Sequence, residues 1–150
     1  MKVDEYFTFT GRVSDQKLLE ALNTADVCVN PDEYNDMNDK STMNKIMEYM
    51  ALAKPIVLFD LTEGRVSARD ASLYAKCNDS IDLAKKILEL LDDPEKRKSM
   101  GEFGYKRVKN ELEWKYEREN LYKAYRKVFD MEKKEAISHG GAESTEKRSW

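Results

Sequence analysis

The sequence predicts an α/β protein with a parallel sheet of about four strands, flanking helices and a helical C-terminal part. Short apolar runs alternate with helical patterns in the first half of the chain, which is typical of parallel strands joined by crossover helices. Two of these runs, DVCVN and PIVLF, are apolar almost throughout, as expected for strands that are buried on both faces. Beyond residue 80 the patterns are helical only.

The first elements are predicted as a strand, a helix and a second strand. YFTFTG, at residues 6–11, is aromatic and β-branched and ends at a glycine, which indicates a strand and a tight turn. SDQKLLEALNTA follows as a helix, with Ser14 as its N-cap and leucines at helical spacing. DVCVNP is a short strand that ends at Pro31. Residues 32–40, DEYNDMNDK, are polar, lack periodicity and are predicted as a loop.

The middle of the chain is predicted to complete the sheet. STMNKIMEYMALAK is a helix whose core stripe consists of Met43, Ile46, Met47 and Met50. PIVLF is the third strand, DLTEGRVSARD a polar loop, and ASLYAK a short fourth strand. Ligands bind beyond the carboxyl ends of the strands in such sheets, so TGRVS, NPDEYNDMNDK and FDLTEGR are expected to be the functional loops.

Three helices are predicted after residue 80. DSIDLAKKILELLDD has one broad apolar face, made of Ile81, Leu83, Ala84, Ile87, Leu88 and Leu91. Pro94 lies in the first turn of the next helix, a position that suits proline. EWKYERENLYKAYRKVFDMEKK is a long charged helix. We expect one domain over residues 1–130 and a disordered tail over residues 131–150, where little can be buried.

Composition disfavours several classes of function. A chain of 150 residues suits one domain, and 41% hydrophobic with 37% charged residues is globular rather than disordered. A net charge of −3 gives no general reason to bind nucleic acid. No apolar run approaches the ~20 residues that span a bilayer, and the start does not resemble a secretory signal. We therefore predict a cytoplasmic protein in which Cys28 and Cys77 are reduced.

The helix that starts near Ser41 carries the candidate site. Asn44, Lys45 and Glu48 cluster on the face opposite the core stripe. Free backbone N–H groups and the helix dipole bind phosphate at such an end, and a lysine and a carboxylate nearby suit phosphate and ribose hydroxyls. Helix physics alone favours a second interpretation, in which Lys45 and Glu48 are a surface ion pair and Ser41 or Thr42 is an N-cap.

NDKSTMNKIMEYMALAKPIVLFD, with the upstream FTGRVSDQKLLEALNTADVCVNP, resembles the donor-binding half of the retaining group-1 glycosyltransferases, which have two Rossmann domains (the GT-B fold). Five landmarks occur in the same order, and the resemblance extends to about residue 129. It implies a Rossmann-like, partial C-terminal domain at residues 1–130 that binds a nucleotide-diphosphate sugar. The reaction implied is transfer of a hexose to an acceptor glycan, lipid or other molecule, without a metal or other cofactor.

The resemblance also implies site residues. Glu48 matches the second glutamate of the family's pair and is implied as the ribose ligand. Val13 falls where family members contact the nucleotide base through backbone groups, and the backbone amides of Thr42, Met43 and Asn44 are implied to hold the diphosphate. With Ser41 and Lys45, which the helix geometry adds, the full candidate set for the nucleotide and diphosphate is Val13, Ser41, Thr42, Met43, Asn44, Lys45 and Glu48.

Three departures from the family pattern affect these assignments. The first glutamate of the pair, expected at position 40, is Lys40 beside Asp39, and these two residues are considered for donor-sugar contacts. The glycine that ends the helix in the family is Ala53, at a cost of about 1 kcal/mol in a left-handed conformation.

Two further residues lie in the polar loop after the third strand and are no departure from the family pattern. Glu63 and Arg65, in LTEGRVS, are predicted either to line the cleft or to form a chance ion pair in an exposed turn.

The third departure is length. Family members need two domains, with donor and acceptor between them, and this chain begins at what would be the third strand of a sheet ordered 3-2-1-4-5-6. We therefore expect a fragment that has no transferase activity alone and whose partners are a nucleotide sugar, the acceptor and an acceptor-binding domain. Peripheral membrane association is considered for the full enzyme.

The sequence identifies no catalytic residue. Two alternatives stay open: a non-catalytic flavodoxin-like or receiver-like interaction domain, and a degenerate protein that binds nucleotide without transfer.

Overall fold

The computed structural model describes the backbone of residues 4–140 and the side chains of residues 4–130. The chain divides into two compact units, Met1–Asn110 and Glu111–Trp150. Three short strands form the sheet of the first unit: β1 (Cys28–Asn30), β2 (Ile56–Phe59) and β3 (Ser72–Ala75). The described helices are α1 (Asp15–Thr24), α2 (Asp36–Lys40), α3 (Asn44–Ala51), α4 (Thr62–Ala68), α5 (Ser80–Leu91), α6 (Pro94–Arg107) and α7 (Trp114–Gly140). Shorter helical turns are the 3-10 helices Asp4–Tyr6 and Arg69–Ala71 and the π-helix Val108–Leu112.

The sheet is parallel, in the order β1-β2-β3. Val57 of the central strand is in register with Val29 on one side and with Leu73 on the other. β2 is buried over its whole length because its backbone pairs on both sides and helices cover both of its faces. This arrangement confirms the predicted α/β class with a Rossmann-like parallel sheet.

The core lies on both faces of this sheet. On one face, Val57 and Phe59 pack in a cluster with residues of α5 and α6, namely Leu83, Leu90 and Met100. Ile56 and Leu58 project to the opposite face by the alternation of a strand. There Leu58 lies so close to α4 that a Cβ added at Gly64 would be 3.0 Å from Leu58 Cδ1. The glycine therefore allows α4 to approach the sheet closely.

Most predicted elements are confirmed. The strands occur within DVCVN, PIVLF and ASLYAK. Ser14 caps α1, with its Oγ accepting a hydrogen bond from the Lys17 N–H at 3.4 Å, and Pro94 is the first residue of α6. Ile46 and Met50 of the predicted core stripe are fully buried in α3. The local signals of caps and apolar spacing therefore located these elements well.

The predicted strand at residues 6–11 is wrong. The chain forms a 3-10 turn at Asp4–Tyr6 and has no regular structure from Phe7 to Gly11. Phe7 and Phe9 are 62% and 93% exposed, and their rings stack on each other with centroids 6.4 Å apart. A strand requires a hydrogen-bonded neighbour, and within the described residues no strand pairs with this segment. The described sheet accordingly has three strands rather than four.

Both predicted polar loops contain a helix. In the first, the Asn35 side chain accepts a hydrogen bond from the Asn38 N–H and so caps α2. In the second, Asp39 caps α4 from a distance, because its Oδ1 accepts a hydrogen bond from the Thr62 N–H at 2.8 Å. At the other end of α4, Arg107 of α6 donates to backbone carbonyls of the last turn. These long-range partners, together with packing against the sheet, stabilise a helix that lacks a local cap.

Two features of the C-terminal helices also differ from the predictions. α5 buries Leu83 and Leu90, because a helix on one face of a small sheet contacts it through a narrow stripe. Three members of its predicted apolar face are largely exposed: Ile81, Leu88 and Leu91. α7 continues past the predicted domain boundary at residue 130 to Gly140. Residues 141–150 lie outside the described part of the chain, so the disordered tail stays a prediction.

Candidate functional site

Polar side chains from the predicted functional loops meet where α3 and α4 begin. α4 directly follows β2, and α3 follows β1 after the short helix α2, so both N-termini belong to the connections that leave the carboxyl ends of parallel strands. The Thr42 hydroxyl donates a hydrogen bond to Glu63 Oε1 at 2.8 Å, and Asp39 Oδ1 accepts one from the Thr62 N–H at 2.8 Å. Two hydrogen bonds therefore join the segment before α3 to the first turn of α4.

No side chain caps the N-terminus of α3. Met43 occupies the N-cap position, and its side chain makes no capping hydrogen bond. The Ile46 N–H bonds to the Met43 carbonyl at 3.0 Å, so the amides of Asn44 and Lys45 lie in the turn that precedes the first such bond. The helix dipole adds positive potential at this end. The start of α3 is therefore suited to bind an anion such as a phosphate.

Lys45 stands near this end of α3 and pairs with a residue that the sequence analysis did not select. Its Nζ lies 3.2 Å from Asp32 Oδ1 and 3.1 Å from Asp32 Oδ2. The interpretation of Lys45 and Glu48 as an ion pair is therefore wrong. Asp32 directly follows Pro31 in the loop after β1, and this position in a functional loop was the signal that could have identified it.

The remaining residues around the start of α3 have separate structural positions. Ser41 ends α2, and its hydroxyl donates to the Met37 carbonyl at 2.5 Å, so it does not cap α3. Lys40 is exposed in the last turn of α2, and Asn44 is exposed at the first position of α3. The carboxylate of Asp39 is already hydrogen bonded to α4. These placements leave the ligand roles of the four residues as predictions.

Glu48 borders a groove between α1 and α3. The groove has a volume of about 370 Å³ and is lined by Asp15, Leu18, Leu19, Leu22, Glu48, Ala51 and Leu52. Asp15 begins α1 two residues after the half-buried Val13, so the loop that carries Val13 leads directly into this groove. A carboxylate at the rim of an apolar groove can accept hydrogen bonds from hydroxyls while the leucines pack on a ring. This geometry is compatible with the nucleoside position that the resemblance implies.

Arg65 pairs with Asp60 at the end of β2 rather than with Glu63. Its Nε lies 2.7 Å from Asp60 Oδ1 and its Nη2 lies 2.6 Å from Oδ2. The hydrogen bond to Asp60 raises the pKa of Arg65. The guanidinium also stacks on Tyr74, 4.2 Å from the ring centroid, and burial raises the pKa of Tyr74 to about 12. The predicted ion pair of Glu63 with Arg65 is therefore wrong. Arg65 instead links the first half of α4 to the end of β2 through Asp60.

Other chemical features of the described residues are few. Cys28 and Cys77 are free thiols, and burial raises the pKa of Cys28. Among the described side chains, no three His, Cys, Asp or Glu residues are grouped as a metal site requires. None of the described helices is both long and apolar enough to cross a membrane. The notable polar arrangement is therefore the one at the starts of α3 and α4.

Two comparisons with known proteins found a match. A family model described as "Glycosyl transferases group 1" matches residues 1–93. Among solved structures, sucrose-phosphate synthase from Thermosynechococcus elongatus is similar, with a TM-score of 0.73 and 24% sequence identity. The similarity covers 86% of this chain and 33% of the synthase, so the chain spans about a third of that protein's length. No curated protein matches the chain.

The two matches support different conclusions. At 24% identity the synthase shows the fold alone, which is that of a partial Rossmann-like GT-B domain. The family model covers more than half of the 150 residues, including α1, α3 and α4 with the residues described above. It does not support the alternative of a flavodoxin-like or receiver-like interaction domain. This chain therefore belongs to the group-1 glycosyl transferases.

Proposed function

We propose that this chain carries part of the nucleotide-sugar-binding half of a retaining hexosyltransferase. The observation that carries the proposal is the uncapped N-terminus of α3, with Lys45 beside it and Glu48 on the same helix. The donor is a nucleotide-diphosphate sugar, and the acceptor is a glycan or lipid. The transfer itself is proposed for the whole enzyme, and for this chain alone we expect donor binding without transfer.

The diphosphate is the part of the donor that α3 binds. The backbone amides of Thr42, Met43 and Asn44 and the helix dipole attract its negative charge. Asp32 keeps the Lys45 ammonium close to this end, and a lysine has three N–H donors, so Lys45 can bind a phosphate oxygen as well. When the sugar leaves, negative charge grows on the diphosphate, and these preorganised groups stabilise that charge.

The nucleoside is the part that holds the donor in place. Glu48 accepts hydrogen bonds from the ribose hydroxyls, and backbone groups near Val13 contact the base at the α1 end of the groove. These contacts are remote from the bond that breaks. Their binding energy therefore fixes the donor while the interactions at α3 act on the transition state.

Calorimetry on the 150-residue chain with UDP, GDP and ADP tests this proposal. We expect one nucleoside diphosphate to bind, and Glu48→Ala to weaken its binding about tenfold, because hydrogen bonds to a charged carboxylate are strong. Glu102→Ala is the matched control, since Glu102 is also an exposed acidic residue on a helix, in α6. Absence of binding by all three compounds, or an equal effect of the two substitutions, would contradict the proposal.

A further inference from the structure

We propose that Glu63 binds the sugar of the donor, by accepting hydrogen bonds from its hydroxyl groups. This inference rests on the proposed function and assigns a specificity role to a residue of α4. The Glu63 carboxylate reaches the segment before α3, where its Oε1 accepts a hydrogen bond from the Thr42 hydroxyl at 2.8 Å. It is therefore beside the end of α3 where the diphosphate is proposed to lie, and the sugar is attached to that diphosphate.

The contacts of Glu63 leave one of its carboxylate oxygens able to accept a hydrogen bond from a ligand. Its Oε1 is shared by two hydroxyls, those of Thr42 and of Ser67 at 3.4 Å. Within residues 4–130, its other oxygen, Oε2, accepts no hydrogen bond. No described lysine or arginine pairs with this carboxylate: Lys45 pairs with Asp32, and Arg65 with Asp60. The Glu63 carboxylate is half-buried, and its second oxygen can accept a hydrogen bond from a ligand.

The charge of Glu63 decides which part of the ligand it can contact. A carboxylate repels phosphate oxygens, so it does not bind the diphosphate itself. Hydroxyl groups donate hydrogen bonds, and a hexose presents several of them on adjacent carbons. Glu63 already accepts hydrogen bonds from two protein hydroxyls, which shows that its position suits this kind of partner.

A second unsatisfied acceptor lies at the same end of the sheet. Asn30, the last residue of β1, is only 3% exposed, and its Oδ1 accepts no hydrogen bond within the described residues. Asn30 is in register with Leu58, and residues in register on parallel strands project to the same face. Because Leu58 faces Gly64 in α4, the Asn30 side chain lies on the face that α4 covers. A buried acceptor without a partner among the described residues therefore lies under the helix that carries Glu63.

The residues first considered for the sugar have different contacts. Asp39 caps α4, because its Oδ1 accepts a hydrogen bond from the Thr62 N–H at 2.8 Å, and Lys40 is a cation exposed at the end of α2. Glu63 reaches the segment before α3 and accepts hydrogen bonds from hydroxyl groups, which are the groups that a sugar presents. Glu63 is therefore proposed in addition to the contacts predicted at positions 39 and 40.

Calorimetry with matched ligands on the full chain tests this inference. UDP, GDP and ADP are compared with UDP-glucose, GDP-mannose and ADP-glucose. We expect Glu63→Gln to weaken binding of the nucleotide sugar by roughly five- to tenfold and not to weaken binding of the matching nucleoside diphosphate. Ser67→Ala is the control, because it removes a hydroxyl that donates to Glu63 Oε1 while the carboxylate remains. Circular dichroism of each variant verifies that it is folded.

Each outcome has a definite meaning. A loss confined to the nucleotide sugar in Glu63→Gln, and absent from or much smaller in Ser67→Ala, supports the inference. An equal loss for nucleotide sugar and nucleoside diphosphate overturns it, because Glu63 would then act only by positioning Thr42. Unchanged nucleotide-sugar binding overturns it as well. If none of the nucleoside diphosphates binds the wild-type chain, the proposed function fails and this inference fails with it.

Discussion

The helices α5 and α3 begin in opposite ways. The N-cap of α5 is Asp79, whose side chain accepts hydrogen bonds from the N–H groups of Ile81 and Asp82 at 3.1 and 3.0 Å. The N-cap of α3 is Met43, whose side chain makes no such bond. Three other helices of the first unit follow the pattern of α5, with the local caps Ser14, Asn35 and Asp93. The end of α3 is thus left with unsatisfied backbone donors.

This difference separates stability from binding. A capping side chain adds typically about 1 kcal/mol to stability by satisfying N–H groups within the protein. An uncapped end gives up that contribution, and its N–H groups then remain available to an external anion. Loss of stability at a binding site is common where function requires exposed polar groups. Adding a cap at the N-terminus of α3 is therefore expected to raise stability and weaken binding, whereas removing the cap of α5 is expected to lower stability only.

The largest effect is expected from Met43→Asp, which makes the start of α3 resemble that of α5. The new carboxylate would bond to the backbone N–H groups and repel the diphosphate, so nucleoside diphosphate binding should weaken by about 30-fold. The free energy of unfolding should rise by about 0.5–1 kcal/mol, because the helix gains a cap. Calorimetry measures the first quantity and urea denaturation the second.

Met43→Asn is the matched control for this change. Asparagine caps a helix as well as aspartate does but carries no charge, so the affinity should fall by only about threefold. If Met43→Asp leaves the affinity unchanged, the diphosphate does not bind at this end of α3.

An intermediate effect is expected from Asp79→Ala, which uncaps α5. Two N–H groups lose their acceptor, so the free energy of unfolding should fall by about 1–2 kcal/mol. Nucleotide affinity should not change, because α5 takes no part in the proposed site. Asp79→Asn, which keeps the acceptor oxygen, should be close to wild type in urea denaturation. A changed affinity in Asp79→Ala would show that helix ends here act on binding through global stability.

The smallest effect is expected at the other end of α3. Ala53 has a φ of 54°, a left-handed conformation that glycine adopts without strain. Ala53→Gly should therefore raise the free energy of unfolding by up to about 1 kcal/mol and leave nucleotide affinity unchanged. A melting temperature below that of the wild type would show that the alanine methyl group packs well enough to outweigh its strain. The expected result is a gain of stability at one end of α3 without the loss of binding expected at the other.

Two aromatic or apolar runs show how far composition predicts a strand. PIVLF and YFTFTG have similar strand propensity, yet residues 56–59 form β2 while Phe9 is 93% exposed in irregular chain. β2 pairs with a strand on each side and lies under helices on both faces. The N-terminal run has no partner among the described strands. Propensity is a local property, whereas a strand exists only when a neighbour satisfies its backbone groups.

The candidate site also shows that local sequence patterns do not predict contacts between distant residues. The sequence predicted α3 but placed its start near Ser41 rather than at Asn44. Local helix geometry was enough to separate its core residues, such as Ile46 and Met50, from Glu48 on the polar face. It did not identify Asp32 as the partner of Lys45 or α4 as a helix. Both depend on contacts between residues far apart in the chain, including the hydrogen bond from Thr62 to Asp39.

The α/β class, most of the helices, the Ser14 cap of α1 and the family could be predicted from local patterns, because apolar spacing and a capping residue act within a few positions of each other. Folding of the whole chain was needed to establish how many described strands pair, that α4 forms, and that Glu63 contacts Thr42 before the start of α3. These features depend on backbone and side-chain partners that folding brings together from distant positions. A local pattern carries no information about which of those partners will be near.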